Sequence, residues 1–576
     1  MMDLRSLGHG SGRGDGKVSQ MPEFDVVVLG GGTAGVHVAA EVASGGRSVA
    51  LVEAGLVGGE SPYLACLPSK TLLEAAGRAE AWENAAARRD EVASYLDDTA
   101  AASRLAEAGV ALLRGTGQVT RPGTVEVTTH GENAAPAGPD AAAGPGKTVE
   151  LGYTDLVLAT GSEPVAPPIE GLADIAAWTS AEAMSGPDLP RRLVVLGGGS
   201  AGCELAQVYA AFGSSVTLVE TENVLLPAEA TFTGEILAEA LRRTGVDVRL
   251  GSAAVKAERM DEGLALILAD GTRIEADRVL LATGRRPRLS GLGLDRLGVD
   301  VRPGTAIPVD ATCRVMARGG DSATDRATDR AADRAADRAA GLWAAGDVTG
   351  LGTHTHTARY QAGVVASNIL GQRREADYRA IPRAVYTMPS VFAVGASPQG
   401  AAEAGIGLVT AGADLPGTAR ARVSGTEAGR VELYAHPESK LLLGAAAVGP
   451  NAPDWMGEVT VAIRAGVPLP VLADTVHAFP TFSEALEPAL RELAGKLATQ
   501  PADSNESRRP GPAPAGSGPV PLAPGDPAEP PRAAVADPRE PGSHRAANHG
   551  AANHGAANHG AASSGAANSD ARSAAS

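Results

Sequence analysis

Phe24 to Gly35 reads F-D-V-V-V-L-G-G-G-T-A-G. The unbroken apolar run from Phe24 to Leu29 suits a strand covered on both faces, as in a parallel sheet. It passes directly into Gly30-Gly31-Gly32-Thr33-Ala34-Gly35, after which V-H-V-A-A-E-V-A reads as a helix. A second apolar strand, Ser48 to Val52, ends in Glu53. Gly30, Gly32 and Gly35 let backbone approach a pyrophosphate at a helix N-terminus, and an acid about 20 residues further on takes ribose hydroxyls. The glycines alone would suit any tight turn. Joined to that strand, helix and acid, they specify a dinucleotide site.

The same unit recurs. Leu193 to Leu196 (L-V-V-L) feeds Gly197-Gly198-Gly199-Ser200-Ala201-Gly202, a helix follows, and Val216 to Val219 ends in Glu220. Gly197, Gly199, Gly202 and Glu220 therefore repeat the first set, and two dinucleotides in one chain imply an electron relay. Glu220 is followed by Thr221, Glu222 and Asn223, with no Lys or Arg before Arg242. A ribose 2′-phosphate would face carboxylates there, so NADH is favoured over NADPH.

Between the two units, Gly58 to Lys70 reads G-G-E-S-P-Y-L-A-C-L-P-S-K. It resembles the redox signature of the FAD-dependent pyridine nucleotide–disulfide oxidoreductases, G-G-x-C-x-x-x-x-C-x-P-S-K. Three later stretches resemble the same family: Leu156 to Gly161 (L-V-L-A-T-G), Val279 to Pro287 (V-L-L-A-T-G-R-R-P) and Leu342 to Val348 (L-W-A-A-G-D-V). The resemblance implies an α/β fold with two Rossmann-like domains, for FAD and NAD, plus an α+β interface domain through which two chains pair. It assigns FAD contacts to Gly59, Ser61, Lys70, Thr160, Gly161 and Asp347, adds Gly284 in the second A-T-G turn, and pairs Lys70 with Glu204 beneath the flavin. Expected boundaries are 1–22 as a disordered N-terminus, 23–165 and 280–375 for FAD with insertions near 130–147 and 320–340, 166–279 for NAD, 380–498 for dimerisation, and 499–576 as a disordered tail. The tail is Pro, Ala, Gly, Ser and Asn with A-A-N-H-G repeats, a composition that cannot bury enough to fold.

The catalytic half of the resemblance is broken. Ser61 stands where the family has its first cysteine, leaving Cys66 alone, and a hydroxyl neither forms a disulfide nor ionises to a thiolate near neutral pH. The family's H-P-T-x-x-E corresponds to Phe479-Pro480-Thr481-Phe482-Ser483-Glu484, so Phe479 replaces the acid–base histidine that Glu484 would orient. His477 lies two residues away, about 6.6 Å along an extended chain. Ser200 stands where several relatives carry a tyrosine over the nicotinamide pocket.

The expected activity is therefore an FAD-dependent NADH oxidoreductase passing electrons from the flavin to a small, quinone-like acceptor, with Cys66, Lys70, Glu204 and Glu484 as site residues. Alternatives are a dihydrolipoamide dehydrogenase-like thiol–disulfide enzyme, peroxide reduction through Cys66, and a non-catalytic flavin/NADH redox sensor. No metal is expected. His354 and His356 lack a third ligand, and the tail histidines His544, His549, His554 and His559 fit repeat expansion better than ligation.

A net charge of −17 with no basic stripe argues against nucleic acid as a partner. No apolar leader and no run of about 18 apolar residues is present, so a cytoplasmic protein without membrane insertion is expected. Three cysteines, Cys66, Cys203 and Cys313, suit a reducing compartment. Hydrophobic residues make up 44% but aromatics only 3%, so the cores must be built from Ala, Val and Leu.

Overall fold

The computed structural model describes residues 21–130, 146–302, 304–316 and 341–498. Residues 1–20, most of both expected insertions and the tail beyond 498 lie outside them.

The strand Glu23–Leu29 pairs in parallel with Val49–Glu53 on one side and Thr148–Leu158 on the other. Leu342–Ala344 extends this sheet beyond Thr148–Leu158, and Ala111–Arg121 extends it beyond Val49–Glu53. Val26, Val27 and Val28 are wholly buried, as strands covered on both faces require. Thr148–Leu158 and Ala111–Arg121 both run past the parallel sheet and are joined there by the antiparallel strand Thr124–Thr129. This makes one six-stranded sheet. Thr33–Ser44 and Thr355–Ile369 pack on one of its faces through Val38, Val42, Ala362 and Val365.

A second parallel sheet has the order Arg278–Leu281, Arg192–Leu196, Ser215–Val219, Asp247–Arg249. Arg278–Leu281 pairs along its whole length with Leu193 to Leu196. The expected boundary between 279 and 280 would cut this strand, so it is corrected to a point after Leu281. Chain passes between the two sheets at a two-stranded crossing of Ser162–Pro164 with Arg285–Pro287. The antiparallel sheet of Ala254–Arg259, Leu264–Leu268 and Arg273–Ala276 was not foreseen.

From within the Gly58–Lys70 segment onward the chain forms three α-helices, Cys66–Gly77, Trp82–Val92 and Thr99–Glu107. Between the last two, Ser94, Tyr95 and Leu96 all have positive φ, which no right-handed helix can continue through. The C-terminal domain is a five-stranded antiparallel sheet, Pro382–Val385, Ser390–Gly395, Leu442–Gly449, Arg430–Ala435 and Val409–Asp414 in spatial order. Gly457–Ala465 and Leu486–Ala498 are its long α-helices, and four shorter α-helices accompany them among the described residues.

Candidate active site

Both glycine turns have the geometry their spacing implies. Gly30 and Gly197 sit at φ +98° and +105°, a region open chiefly to glycine. A Cβ added at Gly35 would overlap the carbonyl oxygen of Gly30, and one at Gly202 would overlap that of Gly197. These third glycines therefore bring helix against strand. The middle glycines differ: a Cβ on Gly32 or Gly199 meets nothing within 4 Å among the described residues beyond its chain neighbours, so each fronts open space at a helix start where unpaired amides gather. Gly161 and Gly284, at φ +72° and +105°, are equally open. The residues fit two dinucleotides.

The carboxylates follow the same plan. Glu53 accepts from the amides of Gly31 and Gly55, and Glu220 accepts from Gly198 at 2.5 Å and Glu222 at 2.9 Å. Burial pushes the Glu53 carboxyl above its ordinary range, opposed by the Gly55 and Gly31 amides and by Arg114 and Arg288. The amide of Gly58 donates to the carbonyl of Gly31 at 2.7 Å, stitching the start of the Gly58–Lys70 segment to the first turn. Gly59, at φ +72°, lies beside Gly32. Thr160 donates to the carbonyl of Arg288, and Asp347 accepts from Ser162 Oγ at 2.6 Å. That serine also accepts from Arg285, whose guanidinium pairs with Glu60 at 2.7 Å.

Lys70 Nζ lies 2.7 Å from Glu204 Oε2, as expected. Glu204 is only 4% exposed, its other oxygen accepts from the Tyr386 amide at 2.8 Å, and Lys70 stands 4.9 Å over the Tyr386 ring. The three cysteines are free. Burial pushes the Cys313 thiol up to about 11 and raises Cys203 further, which makes both inert near neutral pH. Cys66, at the start of its helix, is half-buried, and its Sγ lies 3.4 Å from Thr355 Oγ1, which in turn donates to Ser61 Oγ at 3.0 Å.

The remaining candidates are in the C-terminal domain. Glu484 accepts from the Ala419 amide at 2.9 Å through one oxygen, while the other is buried with no hydrogen-bond partner among the described residues. Phe479 is 78% exposed. His477 is held between Glu458 at 2.9 Å and Glu487 at 3.3 Å, turned to a different pair of carboxylates from Glu484. Ser200 is exposed at the start of its helix. His356 Nε2 contacts the Pro382 carbonyl at 2.7 Å, and among the described residues no cluster of three or more His, Cys, Asp or Glu could hold a metal.

Residues 24–362 match the family described as pyridine nucleotide-disulphide oxidoreductase, and residues 381–490 match that family's dimerisation domain. The chain belongs to this family. FAD and a nicotinamide dinucleotide are the family's cofactors. Dihydrolipoyl dehydrogenase of Thermus scotoductus is 32% identical over 498 residues, covering 82% of this chain and 98% of that protein. Mercuric reductase of Streptomyces lividans is likewise 32% identical over 498 residues, covering 82% and 97%. Among solved structures, the HOCl-induced flavoprotein disulfide reductase RclA of Escherichia coli superposes with a TM-score of 0.69 at 25% identity, over 81% of this chain and 99% of that one. No helix among the described residues is long and apolar enough to cross a membrane.

Sequence reading missed Thr355, Arg285, Glu60 and Tyr386 as neighbours of the site. Arg285 is within the quoted A-T-G-R-R-P stretch, but nothing in the spacing signals that Glu60 receives its guanidinium. Thr355 is nearly 300 residues from Cys66, and local pattern cannot announce such a contact.

Gly202→Ala tests the second glycine turn. The added methyl must push the helix start off the strand, so reduction of bound FAD by NADH is expected to slow by about 10²-fold. FAD content should not change. Rapid mixing of NADH with the FAD-loaded variant under anaerobic conditions measures both.

Proposed function

We propose that the chain is an FAD-dependent NADH oxidoreductase, acting as a homodimer, whose reduced flavin passes electrons directly to a small quinone-like acceptor. When bound, the flavin supplies the exchange between a hydride donor and that acceptor. The observation carrying the reading is the surroundings of Cys66. Its polar neighbour is the Thr355 hydroxyl, with Ser61 beyond, and the other two cysteines are buried elsewhere and free. No sulfur couple is available to stand between flavin and substrate.

What the remaining residues do supports the same reading. Lys70 keeps its ammonium fixed by Glu204, where a cation favours the extra negative charge of a reduced cofactor. Phe479 offers no proton, and Glu484 has no imidazole to orient. Glu220 and Glu222 disfavour a 2′-phosphate. Arg249 lies at the end of the neighbouring strand, but its guanidinium is taken by Asp247 at 2.8 Å. NADH is therefore the expected donor.

Steady-state oxidation of NADH and NADPH, each against a benzoquinone, lipoamide and glutathione disulfide, tests this. Faster turnover with NADH and the quinone is expected. Robust lipoamide turnover would refute the proposed acceptor class and favour dihydrolipoyl dehydrogenase activity, the name carried by the Thermus relative. Equal or better turnover with NADPH would refute the donor preference alone.

A further inference from the structure

Thr355 is the N-terminal residue of the helix Thr355–Ile369, and its side chain joins two positions of the Gly58–Lys70 segment that sequence reading treats separately. A threonine hydroxyl carries one proton. Here it is given to Ser61 Oγ at 3.0 Å, so the contact of 3.4 Å with Cys66 must be made by the thiol donating to Thr355. The order is then fixed: Cys66 S–H to Thr355 O–H to Ser61 O–H. Among the described residues the Ser61 proton has no acceptor, so the chain ends in a free donor. That end belongs to the segment whose Gly58 is stitched to the first glycine turn, on the nucleotide side of the domain.

We propose that Ser61, Thr355 and Cys66 form a proton relay in which Ser61 is the catalytic donor to the acceptor's oxygen, with Thr355 and Cys66 as positioning residues behind it. The inference rests on the quinone-like acceptor of the preceding section. A quinone that receives a hydride equivalent gains two electrons and one proton, and it needs a second proton to leave as the hydroquinone. Ser61 gives that proton as its O–H bond breaks. Thr355 re-protonates Ser61, Cys66 re-protonates Thr355, and water restores the Cys66 thiol, so one solvent proton is consumed per turnover. On this reading the serine in the place of a cysteine is a working part, because a hydroxyl can both accept from Thr355 and donate onward.

The test uses the FAD-loaded enzyme, reduced anaerobically and mixed with either a benzoquinone, which needs protons, or ferricyanide, which takes single electrons and needs none. Thr355→Val should slow quinone reduction about tenfold or more, whereas a merely structural change would slow both acceptors alike. Thr355→Ser should restore the quinone rate, and a solvent deuterium effect should be seen with quinone and not with ferricyanide. A separate readout needs no turnover: in Ser61→Ala the Thr355 proton is released to a Cys66 thiolate, so iodoacetamide should modify Cys66 about three- to tenfold faster, the worth of one hydrogen bond. Equal effects on both acceptors in Thr355→Val, or unchanged alkylation in Ser61→Ala, would overturn the relay while leaving the quinone reading intact. A wild-type enzyme that ignores quinone and turns over lipoamide would remove both.

Discussion

The double variant Ser61→Cys with Phe479→His is expected to acquire lipoamide turnover about 10²- to 10⁴-fold above that of the wild-type chain, the range an acid–base group typically supplies. Ser61 Oγ and Cys66 Sγ contact the same Thr355 hydroxyl, at 3.0 and 3.4 Å, so a sulfur at 61 would neighbour Cys66 across that one hydroxyl. Phe479 projects into solvent, and one Glu484 oxygen is buried without a donor among the described residues. A histidine at 479 can donate Nδ1–H to that oxygen. The single variants separate the two parts. Ser61→Cys alone should add a charge-transfer absorbance on reduction with little turnover. Phe479→His alone should give no turnover but stabilise the fold by up to about 1–3 kcal/mol, the cost of an unsatisfied buried acceptor. A double variant no better than Ser61→Cys alone would mean that Glu484 does not await an imidazole.

The second large effect is expected from Lys70→Met. Glu204 is 4% exposed and Lys70 is its cation, so the variant strands a carboxylate in the interior. Removing one partner of a buried pair costs about 3–5 kcal/mol. The lower end applies here, because Glu204 keeps the Tyr386 amide and Lys70 itself is about one-third exposed. A fall in thermal midpoint should accompany slowing of flavin reduction by about 10²-fold. Glu204→Gln keeps the hydrogen bond to Tyr386 and strands no anion. It should therefore recover most of the stability in combination with Lys70→Met, without recovering the rate. If the double change restores both, the pair serves folding alone.

Much of this fold was legible because its deciding signals are local. A buried parallel strand, a positive-φ glycine and a carboxylate at the next strand end fall within about 30 residues and recur at the second site in the same order. Gly35 and Gly202 could be read because a helix packed directly on a strand excludes a Cβ, whatever else the chain does. The antiparallel strands from Ala254 to Ala276 and Val409–Asp414 were missed because they are short, and Gly412 and several charged residues dilute their alternation. The boundary after Leu281 was misjudged because the A-T-G-R-R-P motif was assigned to the FAD domain as one unit, whereas its preceding strand is paired with Leu193 to Leu196.

The site divides in the same way. Ser61, Cys66 and Phe479 announce themselves by position in known motifs, and Lys70 with Glu204 was anticipated from the family resemblance. Long-range pairings carry no such mark. The Thr355 bond to Ser61, Arg285 on Glu60, and the diversion of His477 to Glu458 and Glu487 all depend on how separate elements meet. The unsatisfied oxygen of Glu484 was implied by the missing histidine, and the structure adds that no other described donor has replaced it.

Anaerobic reductive titration of the FAD-loaded protein measures the central claim most directly, because it counts the electrons the chain can hold. With the flavin as the sole redox centre, full reduction should take about two electron equivalents per bound FAD, with no thiols appearing. Uptake of about four, with two new thiols per chain, would reveal a disulfide couple and contradict direct transfer from the flavin.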